Sequence, residues 1–320
     1  MQGAKLVLFV TGICNIYCGY CPLSERRWQK DIVYANERPI VADEELLEEA
    51  HLMDALGTGI TGGDPVLRLD RTLHYAHILK REFSDHHIHL YTASPLTDNL
   101  LQSMEGFIDE IRIHLTDFTT VSPVEKALKY NFDVGVEIPM FPSEVEETRT
   151  LIHQLKKVGV HFINLNELEY ADRNMEYLKK LGYTFDTDSC RVKGSEEAAL
   201  ELAQDDIVHY CSASDKDSLQ LRNRLTRRAH HVRQVYEEIE DGLLVKGVIY
   251  CKTGKEAQKI KTILLSKVDI PESFITVVGT RVETHWALAE EASSWIKAKI
   301  GIEKRYPTFD QPLIEYIPVT

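Results

Sequence analysis

The chain has 320 residues, 43% of them hydrophobic, a formal net charge of −13 and six cysteines. That length and apolar content suit one large domain plus a smaller one, and exclude a disordered or fibrous chain. The acidic balance repels polyanions overall, so a nucleic-acid partner would need a local basic face.

The opening residues, MQGAKLVLFVTG, show no charged leader, apolar run and small-residue cleavage site, and no later stretch holds eighteen uninterrupted apolar residues. A cytoplasmic location with no membrane partner is the expectation. Reducing conditions there make clustered thiols metal ligands or redox groups rather than disulfides.

In chain order, β-rich runs alternate with amphipathic helical stretches. The predicted strands are Lys5 to Gly12, Gly57 to Thr61, His87 to Thr92, Glu110 to Thr116, Asp133 to Pro139 and His161 to Leu168. Helical stretches such as DEELLEEAHLMDAL and EVEETRTLIHQLKKVG lie between them, the latter with Gly159 as its C-cap. Alternation of this kind predicts an α/β fold with a parallel sheet, and right-handed crossovers curl six units into a partial (βα)6 TIM-like barrel.

Several of these strands alternate instead of reading as the continuous apolar runs of a doubly covered parallel strand. His89 and Tyr91 share one face, as do Arg112 and His114, Glu137, and Asn164 with Asn166; Ile and Leu or Val residues hold the other. With apolar faces against helices, the polar faces point into the barrel and would line a ligand site.

A strand predicted at Ile207 to Cys211 leads into KDSLQLRNRLTRRAHHVR, Lys216 to Arg233, with six Lys or Arg against one Asp. Ser212, Ser214 or Asp215 is its candidate N-cap. Leu221, Leu225, Val232 and Tyr236 share a stripe, leaving Arg224, Arg227 and Arg228 exposed. These arginines form a solvated face or a contact for phosphates or carboxylates of an anionic substrate, with Glu167 and Glu169 as potential salt-bridge partners.

From about Tyr236 the pattern changes. A hairpin turning at Asp241 and Gly242, a helix through EAQKIKTILLSK, a strand at FITVVGTRVE, a helix through LAEEASSWIKAK and a strand near LIEYIPV form a small α+β domain. The domains are thus 1–205 (partial barrel), 206–236 (linking strand and basic helix) and 237–320 (small α+β domain), the last capping the barrel mouth or docking a macromolecular substrate.

Three of the six cysteines, Cys14, Cys18 and Cys21, follow the first strand, at the rim where parallel α/β folds place active sites. Structural zinc takes four ligands and iron–sulfur clusters prefer four thiolates, yet the first histidine is His51. Three thiolates leave one coordination site for a substrate, as catalytic metal centres do. Cys190, Cys211 and Cys251, with His209, are irregularly spaced and read as buried small hydrophobes before an auxiliary cluster.

The CxxxCxxC spacing, Tyr20 before the third cysteine, and TGGDP at Thr61 to Pro65 resemble the radical S-adenosylmethionine (radical SAM) superfamily, and within it relatives of the pyruvate formate-lyase activating enzyme. Asp64 stands where the family's GGEP motif has Glu. The resemblance implies a [4Fe-4S] cluster on Cys14, Cys18 and Cys21 as metal ligands and catalytic centre, with S-adenosylmethionine on its fourth iron. Reduction by a donor such as ferredoxin or flavodoxin would cleave the sulfonium to a 5′-deoxyadenosyl radical, which abstracts hydrogen from a protein glycyl residue, a nucleoside or RNA, or a small metabolite. Tyr20, Gly62, Gly63 and Asp64 would bind this cofactor, as would His114, Glu137, Asn164 and Asn166. The competing class is a non-catalytic iron–sulfur or zinc protein.

Overall fold

The computed structural model describes residues 3–185 and 189–319. The chain forms two compact units, Met1–Ala50 with Ala55–Gln220, and His51–Asp54 with Leu221–Thr320.

In the first unit the strands are β1 (Lys5–Phe9), β2 (Tyr34–Ala35), β3 (Arg38–Pro39), β4 (Gly57–Thr61), β5 (His87–Thr92), β6 (Glu110–His114), β7 (Asp133–Met140), β8 (Phe162–Glu167) and β9 (Val208–Cys211). They form one sheet in the order β3-β2-β1-β4-β5-β6-β7-β8-β9. All pairs from β1 through β9 along that path are parallel, while β2 runs antiparallel on β1. The β2–β3 hairpin therefore covers an edge that would otherwise expose unpaired backbone groups.

The parallel set holds seven strands, one more than the six βα units read from the sequence. The seventh is β9, expected as a linking strand, which adds to β8 in register from Ile163 with Val208 to Asn166 with Cys211. Between strands lie α1 (Asp43–Leu52), α2 (Leu69–Glu82), α3 (Asp98–Met104), α4 (Ser122–Ala127), α5 (Val145–Val158), α6 (Met175–Lys180) and α7 (Ser195–Leu202). Helix α5 buries Leu151, Ile152 and Leu155, which recur at i, i+1 and i+4, and stops at Gly159, whose φ of 83° an L side chain rarely adopts. The apolar strand positions Ile88, Leu90, Ile111, Val134, Val136, Ile138, Ile163 and Leu165 are fully buried.

Two histidines sit deep in this unit. His86 bonds Thr58 Oγ1 at 2.7 Å, and His89 Nδ1 lies 2.9 Å from Lys5 Nζ. Burial lowers the first to about 4, and burial with nearby Arg112 and Lys5 lowers the second to about 2. An unfolded histidine titrates near 6.5. Below that pH the unfolded chain binds more protons, so stability falls as pH falls from about 6.5 toward 5. Thermal unfolding of the cluster-free chain should show this slope, with His89→Gln flattening it; a midpoint independent of pH over that window would contradict the assignment.

The second unit contains α8 (Arg222–Val232), β10 (Glu238–Glu240), β11 (Leu243–Tyr250), α9 (Gly254–Lys267), β12 (Ile275–Val278), β13 (Arg281–Thr284), α10 (Trp286–Ser293), β14 (Lys299–Arg305) and β15 (Leu313–Pro318). Its antiparallel sheet has the order β12-β13-β11-β14-β15, with β10 paired to β11. The β10–β11 turn falls at Asp241 (φ 49°) and Gly242 (φ 81°), the two positive angles of a twisted two-residue hairpin. FITVVGTRVE, expected as one strand, is a hairpin, because Gly279 (φ 60°) reverses the chain between β12 and β13. KIGIEKR, unassigned in the sequence reading except for Lys299 at the end of the expected helix LAEEASSWIKAK, forms β14 between β11 and β15, and that helix ends earlier, at Ser293. Ile249, Ala257, Leu264, Val282, Ala289 and Ala292 build this unit's core.

Helix α8 departs from its expected exposure. A seven-residue π-helical segment, Asp215–Leu221, precedes it, and the side chains of residues 216 and 217 lie outside the description. Arg228 is buried and donates to the Pro307 carbonyl at 2.8 Å. Arg227 donates to the Met53 carbonyl and to Asp54, and Arg222 lies 3.7 Å from Asp241. Arg227 and Arg228 are thus engaged inside their own unit, and form neither the fully solvated face nor the open anion contact that the sequence left as alternatives.

Candidate active site

The cysteine loop leaves β1 and is tied down at both ends. Thr11 donates to Asp31, which also receives Arg68 and Arg71, and these partners hold its carboxyl well below the usual range. Gly12 N donates to the Lys30 carbonyl at 2.7 Å, Gln29 N returns to the Gly12 carbonyl at 2.8 Å, and the Gln29 side chain donates to the Cys14 carbonyl at 2.7 Å. Cys14, Cys18 and Cys21 are free and half-buried. Ile16 N approaches Cys14 Sγ at 3.4 Å, a backbone donor of the kind that tunes a metal-bound sulfur. Burial pushes the Cys14 and Cys18 thiols up, so metal uptake must displace their protons.

Beside this loop, the turn after β4 presents Gly62 and Gly63. A Cβ on Gly62 would lie 2.3 Å from the Thr11 carbonyl oxygen, and one on Gly63 would lie 2.4 Å from that of Ile13 and 2.6 Å from that of Gly12. Only glycine permits this contact, which Gly63 N to Thr11 O (2.7 Å) and Asp64 N to Ile13 O (2.8 Å) seal. Gly63→Ala should therefore push the turn off the cysteine loop and lower the thermal unfolding midpoint by several degrees; an unchanged midpoint would contradict this close approach.

The Asp64 side chain points away from the cavity. It is 1% exposed and accepts from Thr92 Oγ1, Ala93 N, Ser94 Oγ and Val66 N, so it fastens the turn to the end of β5.

The polar sheet face continues the site. Tyr20 Oη lies 2.5 Å from His114 Nε2, and His114 is lowered by burial, so the imidazole is neutral at pH 7 and accepts the phenolic proton. Burial and nearby Cys18 raise Tyr20 well above its ordinary value, which keeps that proton in place. Phe141 meets the Tyr20 ring edge-on at 5.3 Å. Glu137 is gripped by Asn164 at 2.8 Å, Asn166 at 2.6 Å and Arg112 at 3.3 Å, and Arg112 also donates to Tyr91 at 3.0 Å. The adjacent positions of β6, β7 and β8 are in register, which sets this network across three strands.

A cavity of about 730 Å³ brings these parts together. Cys14, Cys18, Tyr20, Cys21, Gly62, Gly63, His114, Glu137 and Asn166 all line it. Asp64 and Asn164 do not; they stand behind the lining as supports. The sequence reading missed Trp28 and Arg173 in the wall and left Glu167 without a site role, while Tyr91, read on the polar strand face, does line the cavity. Glu167 is buried, accepts from Ala213 N at 2.8 Å and faces Arg191 at 3.9 Å rather than the basic helix.

The donor set is three thiols, which fits a cubane cluster. Tetrahedral zinc, with Zn–S near 2.3 Å, draws its sulfurs to within roughly 4 Å of one another. Among the described residues, no three or more His, Cys, Asp or Glu side chains form a preformed site for a metal ion. Three cysteines around one open cavity suit corners of a cubane, with the fourth iron left to an external ligand. Of the other cysteines, Cys190 is exposed rather than buried, and Cys251 packs against the second unit's core.

Comparison with known proteins follows these lines. Residues 8–121 match the radical SAM superfamily, and residues 242–319 match a domain of unknown function, DUF8061. A Methanocaldococcus jannaschii protein provisionally named a glycyl-radical enzyme activating enzyme is 37% identical over 345 residues, covering 100% of this chain and 91% of its own length. Among solved structures, Streptococcus suis SuiB is similar with a TM-score of 0.44 and 12% identity over 75% of this chain and 54% of its own. The radical S-adenosylmethionine methyltransferase TsrM of Kitasatospora setae, with tryptophan and a SAM analogue bound, gives 0.40 and 12% over 56% and 39%. The chain thus covers between about four-tenths and just over half the length of these solved structures.

Proposed function

The chain belongs to the radical SAM superfamily, enzymes that use a [4Fe-4S] cluster and S-adenosylmethionine, and on that premise we propose that Cys14, Cys18 and Cys21 hold the cluster while Gly62 and Gly63 receive the methionyl end of S-adenosylmethionine. When bound, the pair supplies reductive cleavage of a sulfonium to a 5′-deoxyadenosyl radical, with the electron from a donor such as ferredoxin or flavodoxin. In this reading the parallel sheet is a partial barrel, and its polar face is the cofactor wall.

The chain's own groups bind, orient and exclude water. Gly62 and Gly63 line the cavity, and their missing Cβ atoms let the turn press against the cysteine loop, which sets its backbone beside the cluster position. Neutral His114 fixes the Tyr20 phenol, so the ring stays in one orientation beside the cysteines. Asn164, Asn166 and Arg112 leave Glu137 one conformation in which to meet ribose or amino groups. Asp64 contributes indirectly, by holding the glycine turn.

The substrate we favour is a protein glycyl residue, following the name of the Methanocaldococcus jannaschii relative, which spans this whole chain. The observation that carries the reading is that three cysteines and a glycine turn line one cavity. The test is anaerobic reconstitution followed by dithionite and S-adenosylmethionine. 5′-Deoxyadenosine should accumulate; none above a protein-free control would remove the radical reading and leave a non-catalytic metal protein.

A further inference from the structure

Among the described residues, Arg173 in the cavity wall has no carboxylate within hydrogen-bond distance. Arg173 follows β8, its side chain is 10% exposed, and its guanidinium carbon lies over the Trp28 ring, 3.8 Å from the centroid. Its Nε is buried, and among the described residues it has no hydrogen-bond partner. The nearest carboxylate, Glu25, is 68% exposed and 4.0 Å away, too long for a hydrogen bond. Burying a guanidinium nitrogen without a partner is costly, and a cation pinned on an aromatic face keeps its donor edge pre-organised. The adjacent residue explains why it stays there: Asn174 is fully buried and donates to the Tyr20 carbonyl at 2.9 Å and the Glu169 carbonyl at 2.8 Å.

We propose that Arg173, seated on Trp28, is a subsite for a single carboxylate of the substrate. The inference rests on the functional reading above and narrows its substrate class. A guanidinium edge matches a planar carboxylate with two parallel N–H···O bonds. The surroundings favour one negative charge over many: Glu137, Glu167 and Glu169 line the same cavity, and the chain carries a net charge of −13. A phosphodiester backbone, with a charge at every residue, would meet that repulsion repeatedly. The substrate is therefore a molecule or peptide presenting a carboxylate near the atom that reacts, and not RNA.

The probe is succinate, titrated calorimetrically into the reconstituted protein with S-adenosylmethionine saturating, beside neutral succinamide and inorganic phosphate. Succinate should bind, succinamide should not, and phosphate should bind more weakly. Arg173→Gln should weaken succinate at least about tenfold and Arg173→Lys by less, because an ammonium keeps the charge and loses the fork; Arg149→Gln, a surface substitution on α5, should change nothing. Equal binding of succinate and succinamide, stronger binding of phosphate, or unchanged succinate affinity in Arg173→Gln would overturn the proposal. So would loss of succinate binding when S-adenosylmethionine saturates the wild type, since the guanidinium would then belong to the cofactor's own carboxylate. Heat is read without turnover, so a failure of 5′-deoxyadenosine formation strikes the functional reading separately.

Discussion

Cys18→Ser should reduce 5′-deoxyadenosine formation to background and remove the cluster's visible absorbance, with far-ultraviolet circular dichroism unchanged. Cys18 is half-buried and no helix or strand depends on it, so the fold should survive the change. Serine keeps the volume and loses the thiolate that iron requires. The magnitude separates ligand from support. Loss of an outer partner costs about 10–100-fold in metal affinity or activity, and Tyr20→Phe, which removes only the phenol bonded to His114, should fall in that range. Loss of a ligand should exceed it. Equal, modest losses in Cys18→Ser and Tyr20→Phe would mean the trio does not hold the reacting metal.

Asp64→Ala should have the largest effect on stability. The carboxylate is 1% exposed and satisfies four donors, Thr92 Oγ1 at 2.9 Å, Ala93 N at 3.1 Å, Ser94 Oγ at 2.8 Å and Val66 N at 3.3 Å. A fully buried donor left without an acceptor costs about 1–3 kcal/mol; the two hydroxyls can turn to other acceptors and the two amides are part-buried, so the expected loss is about 2–4 kcal/mol. At about 2–4 °C per kcal/mol for a unit of this size, the unfolding midpoint should drop by roughly 10 °C. Asp64→Asn keeps one acceptor and the shape, and should lose less. Asp64→Glu, which restores the family's usual residue, adds a methylene to a closed site and should cost about 1–3 kcal/mol by overpacking. A midpoint within 2 °C of wild type for Asp64→Ala, on the same scale, would show that the turn is held by something else.

The strands that bound the site were legible because their signal is local. GTGIT and HIHLYT begin and end where read, and the alternation of Arg112 and His114 or Asn164 and Asn166 marked the polar face. The Asp241–Gly242 turn was legible for the same reason, since few other pairs accept two positive φ angles. What escaped depends on tertiary partners. FITVVGTRVE keeps β-branched residues on both sides of Gly279, so composition concealed the reversal. The α8 arginines fit a solvated stripe on a helical wheel, but the Pro307 carbonyl and Asp54, distant in sequence, claim two of them. Arg173 carried no motif at all; its character comes from Trp28, which packing alone brings under it.

The central claim is that three cysteines leave one iron of a cubane open to S-adenosylmethionine. Electron paramagnetic resonance of the reconstituted, dithionite-reduced protein, recorded with and without that compound, tests it most directly. The account predicts a reduced-cluster signal whose g-values shift when S-adenosylmethionine is added. A signal indifferent to the addition, or a protein that reconstitutes with one zinc and no iron–sulfur signal, would contradict it.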